Sequence, residues 1–143
     1  MPGRLLPELL QRAEERIRKA ARFKRAARAA LERRDFETAT SRCYYAAYHD
    51  AVALLMANGY PVADASTSHD YIINTCIHLG TRQNKWFTNL KMRGAKDFAE
   101  SFRILYNFRL EADYSLTPMD RERARRALDF VDRFHQAANE RMP

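Results

Sequence analysis

Apolar residues recur at helical spacing in five stretches, and turn-forming residues occupy the gaps between them. In the first stretch Leu9, Leu10, Ala13, Ile17, Ala20, Ala21, Ala27 and Leu31 follow a helical period, with Phe23 beside the stripe. This predicts a helix from Pro7, whose missing N–H suits a first turn, to Arg34. Asp35 is placed to cap a second helix running to about Asn58, and so short a join makes the two antiparallel neighbours. In the second helix Tyr44, Tyr48, Ala51 and Leu55 form one apolar stripe, and Arg42, Tyr45 and His49 share another face. Alanines at 46, 47, 51, 53 and 57 allow close approach on several sides, so this helix is expected at the centre, with Gly59 as its left-handed cap. Ser66, Thr67 or Ser68 begins a third helix carrying Ile72, Ile73, Cys76, Ile77 and Leu79, and Gly80 is expected to stop it. A fourth helix is predicted from Ala95 to about Ser115, with Phe98, Phe102, Leu105 and Phe108 on one face and Tyr106, Arg109 and Asp113 on another. Thr117-Pro118-Met119-Asp120 reads as the start of a fifth helix through Ala124, Leu128, Val131 and Phe134.

The pattern predicts an all-α, up-and-down bundle of four main helices plus a fifth element or short helix, in a single domain over residues 1–143. Tyr44, Tyr48, Leu55, Phe98, Phe102 and Leu105 are its expected core. The chain is 46% hydrophobic and has only 4 glycines and 5 prolines, which favours long helices over many short strands. The N-terminus lacks an apolar signal region and no run of about 18 apolar residues occurs. A cytoplasmic protein without a membrane span is therefore expected. Cys43 and Cys76 fall inside predicted helices without metal-type spacing and are expected as reduced, buried thiols.

Charge adds a direction to this picture. Residues 1–34 hold 11 Lys/Arg against 4 Asp/Glu, a net of +7, which equals the net charge of the whole chain. Such a field attracts an anionic partner. Arg12, Arg16, Lys19 and Arg22 lie opposite the first helix's apolar stripe, and two readings stand. The face is an RNA- or partner-docking surface, with Arg12, Arg16 and Arg22 as the nucleic-acid-binding residues, or it is a solvated helix surface. No aromatic residues alternate with these cations along the sequence to stack bases. Residues 81–94 mix Trp86, Phe87, Leu90 and Met92 with Arg82, Lys85, Lys91 and Arg93. An irregular or short helical connection filling one end of the core is expected, the alternative being a basic-aromatic loop that contacts nucleic acid.

Two blocks carry a resemblance. Arg42-Cys-Tyr-Tyr-Ala-Ala-Tyr48, followed by Ala53-Leu-Leu55, and the later Arg109-Leu-Glu-Ala-Asp-Tyr114 resemble the Arg-x-Tyr-Tyr-Ala and Arg-x-x-Ala-Asp-Tyr signatures of one branch of the HEPN family of small helical domains. Lys19-Ala20, Asp35-Phe36 and Ser68-His69 fall in compatible order, and the resemblance extends from about Arg16 to about Phe134. Many HEPN relatives are metal-independent ribonucleases with arginine and, four to six residues on, histidine. Arginine holds the scissile phosphate by a forked contact, and histidine moves the 2′-hydroxyl proton near neutral pH. The resemblance puts that motif on the late helix, where this chain has Arg109, Asp113 and Tyr114 and an aspartate near the expected histidine. An aspartate, with an ordinary pKa of about 3.9, is a poor general acid at neutral pH. Arg42 and His49 match the spacing but stand on the second helix, as a second candidate pair.

The expected function is accordingly a HEPN-type module, non-catalytic or weakly catalytic, that binds RNA, nucleotide or a partner protein. The alternatives are a metal-independent RNA endonuclease acting as a toxin, and a plain helical dimerisation scaffold. The resemblance implies a homodimer paired through late helices and a nucleotidyltransferase-type partner in a toxin–antitoxin or defence system. It implies no cofactor. His69, His78 and His135 are scattered, and no set of residues has zinc-ligand spacing.

Overall fold

A computed structural model describes residues 7–62 and 68–143. Five α-helices follow one another: α1 (Pro7–Glu32), α2 (Phe36–Ala57), α3 (His69–Ile77), α4 (Phe98–Tyr114) and α5 (Arg121–Glu140). A π-helical turn, His78–Gln83, extends α3. The described residues contain no strand, so the bundle is all-α as the periodicity predicts.

Helix α2 packs against each of the other four, and 14 of its 22 residues are buried. Its alanines explain that position: Ala46, Ala47, Ala51 and Ala53 are fully buried and add no bulk between the helix and its neighbours. Asp35 accepts from the Thr38 backbone N–H and starts α2, as its sequence position predicts. The helix ends with Gly59 at φ 80°, the Gly59 N–H on Met56 C=O and the Tyr60 N–H on Leu55 C=O. That pair of bonds is a Schellman close, and glycine supplies the left-handed residue that it needs. Ser68 caps α3 by accepting from the Tyr71 N–H. Ser66 and Thr67, the other candidate caps, lie outside the described residues.

The core runs from α2 into a phenylalanine stack on α4 and α5. Tyr44, Leu55, Phe98, Phe102 and Leu105 are all buried, as expected. Tyr48, expected in the core, is only partly buried: it packs at the core's margin, its ring stacked on the His69 ring at the start of α3, 4.6 Å away. Phe87 and Met92, from the connection between α3 and α4, close one end of the core. Phe87 packs against Phe98 and Phe134 at 4.9 and 5.2 Å between ring centroids. Trp86 receives the Arg141 guanidinium over its ring at 5.7 Å. Residues 81–94 thus fold over the bundle and fill its end, the first of the two readings.

Helix α1 ends at Glu32, two residues before the expected Arg34, which takes a left-handed φ of 65°. Three later boundaries also differ from the sequence pattern. The chain does not stop at Gly80; it continues in π-helical form to Gln83, with Phe87 N–H donating to Gly80 C=O at 2.9 Å. Helix α4 begins at Phe98, capped by Asp97 accepting from Glu100 N–H, and not at Ala95. Helix α5 begins at Arg121 with Asp120 as its cap, and not at Pro118. A long-range bond accounts for the last: Met119 N–H donates to the Glu37 carboxylate at 2.6 Å and its side chain is buried, which pins the chain before the helix starts.

Candidate functional site

Arg109, from the C-terminal half of α4, lies among tyrosines. Its guanidinium carbon is 5.6 Å from the Tyr44 ring, 5.4 Å from Tyr45, 6.0 Å from Tyr106 and 5.8 Å from Tyr114. Each contact places the cation over a ring, whose face is electron-rich. Nη2 donates to the Tyr45 hydroxyl at 2.7 Å. Nε lies 3.1 Å from Asp113 Oδ2, one turn on, as the shared face predicts. That N–H is not aimed at the oxygen, so the contact is a charge pair and leaves a buried donor without a hydrogen bond. Burial works against the charge on Arg109, but the Tyr45 hydroxyl, Asp113 and Tyr114 outweigh it and raise its pKa further. Tyr114 is 73% exposed, and Leu116 beyond it is fully exposed.

The sequence pattern did not place His69 in this cluster. It is the first residue of α3, and its ring stacks between Tyr44 and Tyr48, with centroids 5.6 and 4.6 Å away. Its Nδ1 is 2.5 Å from the Tyr44 hydroxyl. Tyr44 is fully buried and its hydroxyl has no other hydrogen-bond partner among the described residues. Burial raises the Tyr44 pKa, so the phenol keeps its proton and must donate it. Nδ1 is therefore the acceptor, and the neutral ring carries its proton on Nε2. Burial lowers the His69 pKa, and the Arg109 charge adds to that effect against a smaller opposing contribution from Asp70. At neutral pH His69 offers a donor and no free acceptor.

The second candidate pair is arranged in a similar way. His49, 7% exposed, faces α1 and stacks on Phe23 at 5.3 Å. Arg16 Nη1 donates to His49 Nδ1 at 2.9 Å, since a guanidinium cannot accept. His49 is thus also an Nε2–H tautomer. Burial, with Arg16, Lys19 and Arg22 close by, drives its pKa down to about 4. Arg42 lies over the same Phe23 ring, at 5.6 Å. Because the folded pKa lies below the ordinary 6.5, the folded state binds fewer protons in that window than the unfolded chain. Stability from this group is present above pH 6.5 and is lost as pH falls toward 4. Relative to His49→Gln, the wild type should lose roughly 1–2 kcal/mol between those limits, after allowance for solvent screening. Urea unfolding of both forms at several pH values measures it.

These parts adjoin one another. Phe23 on α1 lies 6.1 Å from Tyr45 on α2, and Tyr45 bonds Arg109 on α4. Arg16, Lys19 and Arg22 stand close enough to His49 to shift its titration, and Arg42 covers Phe23. Cations and rings that are separate in the sequence form one surface. Of the three proposed nucleic-acid-binding arginines, Arg12 and Arg22 are exposed and Arg16 is half-buried against His49.

The HEPN domain family model matches residues 13–141. The chain belongs to the HEPN family. No curated protein matches it significantly. In this HEPN chain the segments Arg42–Tyr48 and Arg109–Tyr114 converge, since Tyr44 and Tyr45 of one contact Arg109 of the other. His78 is exposed at the π-helical turn, and His135 pairs with the buried Asp50, so neither belongs to the cluster. Among the described residues no group of three or more His, Cys, Asp or Glu side chains could hold a metal ion. Cys43 and Cys76 are free and buried, and burial raises both thiol pKa values. No helix among the described residues is long and apolar enough to cross a membrane.

Proposed function

We propose that this HEPN protein binds single-stranded RNA on the surface running from α1 across Phe23 and Tyr45 to Arg109, and does not cleave it. The observation that carries this reading is the convergence of exposed cations with a tyrosine-ringed arginine. Aromatic faces accept bases of any sequence, and arginines beside them hold the backbone. Cleavage needs a group that can take the 2′-hydroxyl proton. His69 and His49 each have Nδ1 occupied as an acceptor and Nε2 protonated, and Asp113 is paired with Arg109. The ribonuclease alternative would require His69 to release Tyr44 first.

The module is proposed to act as a homodimer in a toxin–antitoxin or defence system, with a nucleotidyltransferase-type protein as its partner. Sedimentation at micromolar concentration is expected to show two chains, and a monomer at high concentration would remove the dimer from the proposal.

Fluorescence anisotropy with a labelled single-stranded oligonucleotide tests the binding surface. Replacing Arg12, Arg16 and Arg22 together with glutamine should weaken binding for all sequences and reduce its salt slope. Tyr114→Ala should remove about 1–3 kcal/mol of stacking with little change in that slope. Undiminished binding by both variants would contradict the proposal.

A further inference from the structure

A second basic surface lies on α5, away from Arg109. On α4, Arg109 turns toward the tyrosines of α2, whereas the preceding Phe108 turns toward α5 and receives the guanidinium groups of Arg123 and Arg126 at 5.8 and 5.7 Å. Arg126 Nε donates to the Arg93 C=O at 2.9 Å. Gly94 leaves room for this side chain, since a Cβ there would stand 3.1 Å from Arg126 Nη2. Arg126 is thus fixed by a ring and a carbonyl, while Nη1 and Nη2 make no hydrogen bond among the described residues. Arg93, Arg125, Arg126 and Asp129 line a recess of about 330 Å³. A second recess, of about 360 Å³, lies between α1 and α5 and is lined by Arg28, Leu31, Leu128 and Asp132. Arg125 and Asp129, one turn apart, line both, so the two recesses form one groove across α5.

The charges of this groove do not balance. Its carboxylates are matched: Asp132 pairs with Lys24 and Arg28 at 3.1 and 2.7 Å, and Asp129 with Arg133 at 2.9 Å. Arg93 has only a 3.7 Å contact with Glu122. Arg125 is exposed and makes no hydrogen bond, ion pair or ring contact among the described residues. Arg125 and the outer nitrogens of Arg126 are therefore planar forks with unused donors, which match carboxylates. Beside them Leu31 and Leu128 supply an apolar lining. Two features favour a protein segment over RNA as the occupant. None of the lining residues is aromatic, so bases have no ring to stack on. Asp129 and Asp132 repel a continuous phosphate backbone, whereas a polypeptide can set its acids only where the arginines stand.

We propose that this groove docks an acidic segment of a partner protein, with neighbouring carboxylates on Arg125 and Arg126 and an aliphatic side chain over Leu31 and Leu128. The inference does not rest on RNA binding at the Arg109 surface. The cations that reach His49, by contrast, lie on the flank of α1 that faces α2, while Lys24 and Arg28 face α5.

Nuclear magnetic resonance titration of the full, isotope-labelled chain tests this with the peptide acetyl-Ala-Glu-Glu-Ala-Leu-Glu-Ala-amide, at about 0.15 M salt. Saturable shifts are expected at the amides of Arg125, Arg126 and Leu128. A peptide with glutamine in place of each glutamate should bind roughly tenfold more weakly, and one with alanine in place of leucine about threefold more weakly. Arg125→Gln should weaken the parent peptide about threefold, and Arg125→Gln with Arg126→Gln about tenfold. Arg125 holds nothing within the fold, so the single variant reads docking even if the double variant loses stability. Replacing Arg12, Arg16 and Arg22 with glutamine should leave peptide affinity within about twofold, and Arg125→Gln should do the same for single-stranded RNA. Absence of saturable shifts at the groove would overturn the inference, as would equal affinity of the glutamine peptide or of Arg125→Gln. RNA affinity that falls in step with peptide affinity in Arg125→Gln would overturn it too and make the groove a nucleic-acid surface.

Discussion

Replacing Gly80 with alanine is expected to destabilise the protein by roughly 3 kcal/mol, at the upper end for overpacking. The sign is informative, because glycine to alanine within a helix ordinarily stabilises by about 0.5–1 kcal/mol. A Cβ at Gly80 would stand 2.1 Å from Phe87 Cδ2 and 2.6 Å from Cε2. The Phe87 ring has little room to retreat, since it is fully buried against Phe98 and Phe134. Gly80 is not at a positive φ, so the effect comes from space and not from backbone strain. Phe87→Ala should itself cost about 3–5 kcal/mol, but Gly80→Ala added to it should cost little more. Denaturant unfolding of the two single variants and the double variant measures the coupling. Additive losses would mean that Phe87 is not the obstacle.

The second large effect is expected at Asp50. This carboxylate is fully buried on α2, and both its oxygens lie on His135 Nδ1 of α5, at 2.9 and 3.1 Å. Lys24 of α1 favours its charge and Cys76 of α3 lies close by. Asp50→Ala leaves the imidazole N–H without its acceptor and opens a hole in the most tightly packed helix. A loss of about 3–5 kcal/mol is expected, the range for breaking a buried pair from one side. Asp50→Asn keeps an acceptor and should cost much less. Burial raises the Asp50 pKa to about 6, against the opposing pull of His135 and Lys24. The folded state therefore takes up a proton between about pH 6 and the ordinary carboxylate value near 4, where the unfolded chain does not. Stability from this group is greatest below pH 4 and declines as pH rises toward 6. Wild type should gain on Asp50→Asn as pH falls through that window, opposite in sign to the His49 effect. Chemical denaturation at pH 4.5 and pH 7 separates the two.

The helical period carried most of the fold. It reached the five helices, the central place of α2 and the aromatic core because each depends on which face of a helix is apolar. It failed where one distant contact decides. Gly80 resembles a terminator in sequence, yet its missing side chain makes room for Phe87, seven residues on. Thr117-Pro118 resembles a helix start, yet the Glu37 carboxylate holds Met119 and delays α5. The candidate site was legible as two blocks and not as one surface. Phe23, Tyr45 and Arg109 come from three helices, so the absence of aromatics between the arginines of α1 was no guide to what lies beside them in space. His69 carried two sequence signals, its place next to a serine cap at the head of a helix and the order of Ser68-His69 within the resemblance. Its partner Tyr44 could be found only in three dimensions.

A single experiment bears most directly on binding without cleavage: a labelled single-stranded RNA incubated with the protein in a metal chelator, then divided between a native and a denaturing gel. The wild type should shift the RNA on the native gel and leave it intact on the denaturing gel. Arg109→Ala, His69→Ala and His49→Ala should leave it intact as well, whatever they do to the shift. Loss of a proton-transfer group costs roughly 10²–10⁴-fold in rate, so an active site dependent on either histidine would be plain in this comparison. Efficient cleavage by the wild type that His69→Ala abolishes would contradict the account and make the Tyr44–His69 pair part of a ribonuclease centre.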